Sequence, residues 1–324
     1  MMIKFLKKCV SVILLGGISV GYGQDSATLN NLPLRSNNQQ IRTIIVDPGH
    51  GFPDVGAEGN GYNEADIALG IATKLAQKLK DSLPGVRVIM TRTDRNLPAG
   101  ITNANEANRW RAKFANENHG DLFLCIHVND AGSVRHSEVV DHETHVYYTG
   151  KGKRRKKHTR REPIYRHWTT PSAAIGTETY IWSMEKNDSK TQFIHDNSSS
   201  EGEFSDSAMA KDSTADSLLN TPEAKIAASL KARKFFERSL ILASLVQDQF
   251  VDQGRVDRGV KQRGTGIWVL QATAMPSILV ESGFIQDPNE ASYLGSDVGQ
   301  TAVSDAVFHA VLQYKKILSQ RRIN

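Results

Sequence analysis

From residue 41 onward, the chain alternates short apolar runs with longer segments that carry apolar residues on one helical stripe. In the segment 63–80, Ile67, Ile71 and Leu75 recur every four residues, which is typical of an amphipathic helix. Predicted strands are 41–46, 86–91, 121–127, 176–182, 266–271 and 277–281, and predicted helices are 63–80, 102–118, 222–253 and 300–319. This alternation predicts a single α/β domain over 41–324, with a mixed, mostly parallel sheet, helices on both sheet faces and two insertions.

The first 23 residues have the composition of a secretory signal peptide. A basic start with three lysines precedes an apolar run at 9–20 and small residues before a cleavage position between Gly23 and Gln24. Spanning a bilayer takes about 20 apolar residues, and the run at 9–20 is far shorter, so it is not predicted to be a membrane anchor. We also predict no transmembrane segment in the mature chain. Residues 24–40 are polar and aperiodic and are predicted to be a linker. The protein is therefore expected to be secreted into the periplasm.

Charge, cysteine content and the absence of common motifs exclude several classes of function. The formal net charge of +5 falls to +2 without the three lysines of the signal peptide, so basicity does not indicate nucleic-acid binding. Cys9 leaves with the signal peptide, and Cys125 lies in an apolar strand where we expect a buried, inert thiol. The mature chain can form no intramolecular disulfide and no cysteine-based zinc site. It contains no HExxH, GxSxG or P-loop pattern, so zincin, serine hydrolase and nucleotide-binding interpretations have no support.

Residues with metal-binding side chains occur where predicted strands end. His50 lies in the Asp-Pro-Gly-His-Gly turn 47–51 directly after the first strand, His127 ends the third strand, and Glu281 ends the last one. The carboxyl ends of parallel strands meet at one edge of a sheet, so these three side chains are expected to converge. Glu64 shares the inward stripe of its helix, where a carboxylate is costly unless it is paired or binds a metal.

Two histidines and one glutamate with an open fourth position form a hydrolytic zinc site in many enzymes. The sequence therefore predicts Zn²⁺ on His50, Glu64 and His127. Zinc lowers the pKa of water to about 7, and Glu281 is the expected acid/base that takes the proton. Each residue also has a simpler interpretation. His50 could be a surface residue of the turn, and Glu64 could favour a helix N-terminus. His127 could be a core histidine and Glu281 a solvated strand end. The convergence of all four favours the metal site.

With these residues in place, the chain resembles the zinc-dependent N-acetylmuramoyl-L-alanine amidases of type 3, which separate daughter cells. The matching segments follow the family's order and are interrupted by the two insertions: 44–51, 63–66, 91–92, 111–116, 124–129, 258–262 and 275–284. The resemblance implies zinc on His50, Glu64 and His127, with Glu281 as the essential acid/base. It also implies peptidoglycan as substrate and cleavage of the amide between the lactyl group of N-acetylmuramic acid and the L-alanine of the stem peptide.

Other residues of the matching segments add expectations and one departure. Asn129 and Arg258 are expected to bind the substrate. Cys125 stands where the family often has serine or another small residue, a departure that we expect to be harmless. Two other functions stay open: another exported zinc hydrolase, such as a carboxypeptidase acting on stem peptides, and a wall-binding or regulatory protein without catalysis. The presence of all four site residues speaks against the second.

Two insertions interrupt the α/β pattern. The insertion 130–175 contains the run 151–161, with eight Lys or Arg in eleven residues. Such a run is either a solvated face or a site for anionic wall polymers, lipid headgroups or the acidic insertion of the same chain. The insertion 183–220 is rich in Ser, Asp and Glu and is either a flexible loop or an inhibitory segment.

The inhibitory interpretation of 183–220 rests on the family resemblance. Some relatives hold a helix over the zinc at this place in the chain and release it when a protein activator binds. The resemblance therefore implies that 183–220 inhibits the resting enzyme. Its acidic residues Glu185, Glu201 and Glu203 are the candidates for reaching the open position of the zinc.

Overall fold

The computed structural model describes residues 40–186, 188, 190–192, 194 and 221–320. The predicted signal peptide 1–23 and most of the predicted linker 24–40 lie outside the described residues, so both stay predictions. In the part of the chain that is described, no helix is long and apolar enough to cross a membrane.

All predicted strands and helices except the strand 266–271 are present, with ends that shift by a few residues, and further elements occur between them. The strands are β1 (Thr43–Pro48), β2 (Glu58–Gly59), β3 (Tyr62–Asn63), β4 (Arg87–Met90), β5 (Leu122–Asn129), β6 (Ser133–Thr149), β7 (Lys156–Pro171), β8 (Thr177–Trp182), β9 (Asp257–Arg263) and β10 (Ser277–Phe284). The helices are α1 (Glu64–Ser82), α2 (Ala104–Glu117), α3 (Pro222–Asp252), α4 (Trp268–Ala272), α5 (Pro288–Gly295) and α6 (Asp297–Gln320).

The main sheet has six strands in the order β4-β1-β5-β10-β8-β9. Strands β4, β1, β5 and β10 are parallel to one another, whereas β8 is antiparallel to β10 and β9 is parallel to β8. The predicted mixed, mostly parallel sheet is therefore confirmed. Because β1, β5 and β10 point the same way, their carboxyl ends lie at one edge of the sheet.

Helices cover both faces of this sheet, which explains why its central strands are apolar on both sides. Helix α1 packs against β1, β4 and β5, and α6 packs on α1. On the opposite face, Ile45, Phe123 and Leu279 from three strands form a core cluster with Ala115 of α2. Every residue of β1 and the first five residues of β5 are buried. This rigid core holds the sheet edge at which the candidate site lies.

One predicted strand is wrong. The segment 266–271 was expected to be a strand, but it leads into the short helix α4, in which four successive residues are buried. A short apolar run is compatible with a buried helix as well as with a strand, and periodicity cannot distinguish them. The sixth strand is instead β9, which the pattern missed because it lies at the sheet edge and is mostly polar.

The first insertion forms a long hairpin that was not predicted. Strands β6 and β7 pair only with each other among the described strands, and nearly all of their residues with described burial are exposed. Both faces of the hairpin meet solvent, so no alternation of apolar and polar residues marks it in the sequence. The basic run 151–161 includes the tip of this hairpin and is solvent-exposed almost throughout.

Candidate metal centre and active site

The histidine turn after β1 folds back on β5. Gly49 donates its N–H to the carbonyl of Ile126 at 2.9 Å. A Cβ at position 49 would lie 2.4 Å from Nε2 of His127, so only glycine allows the turn to approach that ring. His50 itself has a positive φ of 57°, a conformation uncommon outside glycine. The turn thereby places the two histidine rings with centroids 5.0 Å apart.

The buried side chain of Arg92 holds this turn in place. Arg92 donates from Nε to the carbonyl of Pro48 at 3.0 Å, and from Nη2 to the carbonyls of Gly49 and Ala65, both at 2.8 Å. Burial lowers the pKa of Arg92 to about 10, against the effect of nearby carboxylates. Arg92 therefore ties the turn to the first residues of α1. Arg92 lies in the matching segment 91–92, but no role was predicted for it.

Arg111 supports the same turn from the other side. It forms a fully buried ion pair with Asp47 at 2.9 Å and donates to the backbone carbonyl of His50. It shares the buried stripe of α2 with Ala107 and Ala115, at intervals of four residues. An arginine on an inward helical stripe was the available signal for this role. The Cys125 thiol also contacts Asp47, at 3.0 Å, and burial raises its pKa, which fits the predicted inert thiol.

Glu64 is the first residue of α1, and its carboxylate points inward. Asn63 caps the helix by accepting from the N–H of Asp66. Oε1 of Glu64 accepts from the N–H of Val128 at 3.0 Å, and Oε2 accepts from the N–H of Ala57 at 2.9 Å. These backbone donors fix the carboxylate between the two histidines. The predicted inward orientation of Glu64 is present in the structure.

His50, Glu64 and His127 form the one metal-capable cluster found among the described residues. One ligand atom from each lies within 4.8 Å of the others. Glu64 is 2.7 Å from Nδ1 of His127 and 3.3 Å from Nε2 of His50. Tetrahedral ligands about 2.1 Å from an ion lie about 3.4 Å from each other, so this donor set fits Zn²⁺ with small side-chain rotations.

Neighbouring groups shift the pKa values of His50 and Glu64. Burial lowers the pKa of His50, but a 3.0 Å contact with Asp54 and the charge of Glu64 outweigh it and leave that pKa raised. Burial raises the pKa of Glu64, yet the contact with His127 leaves it lowered on balance. Asp54 also orients the His50 ring through Nδ1, as carboxylates do for metal-binding histidines.

Glu281 lies beside the cluster on the next strand. It is opposite His127 in the register of β10 and β5. The carboxyl group is buried, and its Oε2 has no hydrogen-bond partner among the residues described. Burial raises the pKa of Glu281 well above its usual range, and Glu64 raises it further. A buried carboxyl with a free oxygen and a raised pKa has the properties of a general acid/base.

Asn129 and Arg258, the two predicted substrate-binding residues, both contact Glu178. Asn129 donates to Oε2 of Glu178 at 3.0 Å, and Arg258 donates from Nε to Oε1 at 2.6 Å. Glu178 belongs to β8 and was not singled out from the sequence. The available signal was a carboxylate flanked by Thr177 and Thr179 inside a predicted strand.

The predicted zinc-plugging residues are largely outside the structure. Glu201 and Glu203 lie outside the described residues. Glu185 is exposed on the short turn Met184–Lys186 and is not a member of the described metal-capable cluster. Its assignment as a plug stays a prediction.

Comparison with known proteins identifies the family. Residues 44–313 match the family described as N-acetylmuramoyl-L-alanine amidase. The uncharacterized protein YqiI of Bacillus subtilis (strain 168) is 26% identical over 274 residues, which cover 84% of both chains. The N-acetylmuramoyl-L-alanine amidase AmiA of Escherichia coli (strain K12) is 22% identical over 315 residues, which cover 95% of this chain and 90% of AmiA.

A solved structure shows the same fold. The crystal structure of an N-acetylmuramoyl-L-alanine amidase from Clostridium difficile 630 matches with a TM-score of 0.50 and 22% identity, over 85% of this chain and 97% of that chain. Because the family match covers most of the chain, the protein belongs to the N-acetylmuramoyl-L-alanine amidase family, a family of peptidoglycan amidases.

Proposed function

We propose that the protein is a zinc-dependent amidase that hydrolyses the bond between the lactyl group of N-acetylmuramic acid and the L-alanine of the stem peptide. The observation that carries this proposal is the position of Glu281. Its buried Oε2 has no partner among the described residues, and it lies opposite His127 of the metal-capable cluster on the neighbouring strand. We further propose that the enzyme is exported to the periplasm by residues 1–23 and remodels the wall during daughter-cell separation.

Different residues carry out metal binding and proton transfer in the proposed reaction. His50, Glu64 and His127 would hold Zn²⁺, which when bound supplies Lewis acidity that activates water and polarises a carbonyl. Oε2 of Glu281 accepts a proton from the attacking water and then delivers it to the departing amine of L-alanine. Burial raises the pKa of Glu281 above the usual carboxylate range, which is the direction expected of a carboxyl that both takes and gives a proton.

Product analysis tests the reaction. Purified sacculi are digested with the protein, and the released material is analysed by mass spectrometry. We expect intact stem peptides that carry a new L-alanine amino terminus. A carboxypeptidase would instead shorten the peptides at their other end, and a wall-binding regulator would release nothing. Either of these two results would refute the amidase proposal.

We also propose that the insertion 183–220 inhibits the resting enzyme and that a protein activator displaces it. Its first part is anchored, because Ile194 is buried and Lys190 is buried with its Nζ donating to the carbonyl of Leu270 at 2.6 Å. A deletion should therefore spare these two residues. Replacing 196–219 with a short Gly/Ser linker is expected to raise basal activity on sacculi about tenfold, as for an enzyme whose competent state is about one-tenth populated.

The control for this deletion is a Gly/Ser segment of the original length, which separates loss of the acidic residues from shortening of the chain. The double substitution Glu201→Gln with Glu203→Gln should reproduce part of the increase if those carboxylates reach the metal. Unchanged basal activity in all three variants would contradict the inhibitory role.

A further inference from the structure

Polar side chains from four adjacent strands lie in a row that begins at the candidate metal centre. His127 of β5 is opposite Glu281 of β10, and Glu281 is opposite Glu178 of β8. Arg258 of β9 then contacts Glu178. Residues directly opposite each other on neighbouring strands project from the same face of a sheet. The row therefore leads from a metal ligand through the acid/base to a positively charged group.

Glu178 accepts hydrogen bonds from four side chains around it. Oε1 accepts from Nε of Arg258 and from Nζ of Lys261, both at 2.6 Å. Oε2 accepts from the hydroxyl of Tyr180 at 2.6 Å and from the amide of Asn129 at 3.0 Å. Burial raises the pKa of Glu178, but these donors outweigh it and lower that pKa to about 2. Glu178 is therefore an anion that holds four donors in place.

Arg258 and Lys261 remain able to bind a second anion. Their side chains are 37% and 38% exposed, whereas that of Glu178 is 3% exposed. Nη1 and Nη2 of Arg258 form no hydrogen bond with a described residue, and its guanidinium lies 4.8 Å from the ring centre of Phe284. Two cations against one carboxylate leave an excess positive charge. A planar guanidinium with free terminal nitrogens is suited to a carboxylate.

The chemistry of the substrate indicates where that carboxylate lies. In the bond to be cleaved, the lactyl carboxyl of N-acetylmuramic acid is already an amide, so the sugar side carries no anion. The stem peptide has free carboxylates. We infer that Arg258 and Lys261 bind the free carboxylate nearest to the scissile bond, the α-carboxylate of D-glutamate, and that Glu178 is a positioning residue that holds both cations beside Glu281. This inference rests on the proposed amidase function and adds the part of the substrate that is recognised.

Two soluble substrates that differ in one charge test the inference. Both consist of N-acetylmuramic acid, L-alanine and D-glutamate, and in one of them the α-carboxylate of glutamate is an amide. For the parent enzyme, kcat/KM should be about tenfold higher for the free carboxylate, mainly through KM, because hydrogen bonds to charged groups are worth about this much. Replacing both cations, Arg258→Gln with Lys261→Gln, should bring the ratio of the two kcat/KM values to about one.

Variants separate positioning from general damage to the fold. Glu178→Gln should reduce the preference for the free carboxylate. Arg258→Lys should retain more of this preference than Arg258→Gln does. Lys113→Gln, on the exposed face of α2, is the control and should retain it fully. Equal rates of the parent on both substrates, or equal losses of the variants on both, would overturn the inference while the amidase function stands. A parent that cleaves neither these substrates nor sacculi would refute the proposed function itself, and the inference with it.

Discussion

The substitution Glu281→Gln is expected to lower kcat on sacculi by about 10²–10⁴-fold, the usual contribution of a general acid/base. Glutamine has the same shape but cannot accept the proton of the attacking water or return it to the leaving amine. Bound zinc should stay at the level of the parent, because Glu281 is not one of the three clustered ligands. The measurements are single-turnover kinetics and metal content by mass spectrometry.

Protein stability provides an independent measurement for the same variant. The carboxyl of Glu281 is buried with one oxygen unpartnered among the described residues, which is unfavourable for the folded state. Its replacement by a neutral amide should leave the thermal midpoint unchanged or raise it. Glu117→Gln, at an exposed position on α2, serves as the matched control for activity and stability. A Glu281→Gln enzyme with the activity of the parent would eliminate the proposed acid/base.

The central strands of the sheet could be predicted from the sequence because burial on both faces leaves continuous apolar runs. Strands β1, β5 and β10 are of this kind, and each carries a candidate site residue at or just beyond its carboxyl half. Once three such strands are taken as parallel, the topology alone brings His50, His127 and Glu281 to one edge. The inward position of Glu64 follows separately from helical periodicity.

Other strands and several residue roles could not be predicted from the sequence, and the reasons are physical. Strand β9 lies at a sheet edge and hairpin β6–β7 meets solvent on both faces, so neither needs an apolar pattern. The role of Glu178 depends on contacts with residues up to 83 positions away in the chain. Arg92 and Arg111 act on backbone carbonyls, and a sequence does not show which carbonyls a turn leaves available. Their identities were visible, but their partners exist only after folding.

The substitution His50→Asn is expected to remove the bound zinc and to reduce activity on sacculi by about 10³-fold or more, since the metal supplies several kcal/mol of transition-state stabilisation. Asparagine is preferred over alanine here because His50 has a φ of 57°, and asparagine is several-fold enriched among non-glycine residues with positive φ. The substitution thus removes the imidazole while keeping the turn that Arg111 and Gly49 support. Metal content and sacculus digestion are measured on the same preparation.

A chelator experiment separates loss of metal from loss of structure. Parent enzyme stripped of metal should regain activity when one equivalent of Zn²⁺ is added, whereas His50→Asn should regain little, because two ligands bind zinc more weakly than three. His309→Asn, at an exposed position on α6, is the matched control and should behave as the parent does in both assays. Full zinc occupancy in His50→Asn would remove His50 from the ligand set. A parent enzyme that keeps its activity after complete metal removal would refute the metal-dependent mechanism, because Glu281 alone cannot activate both the water and the carbonyl.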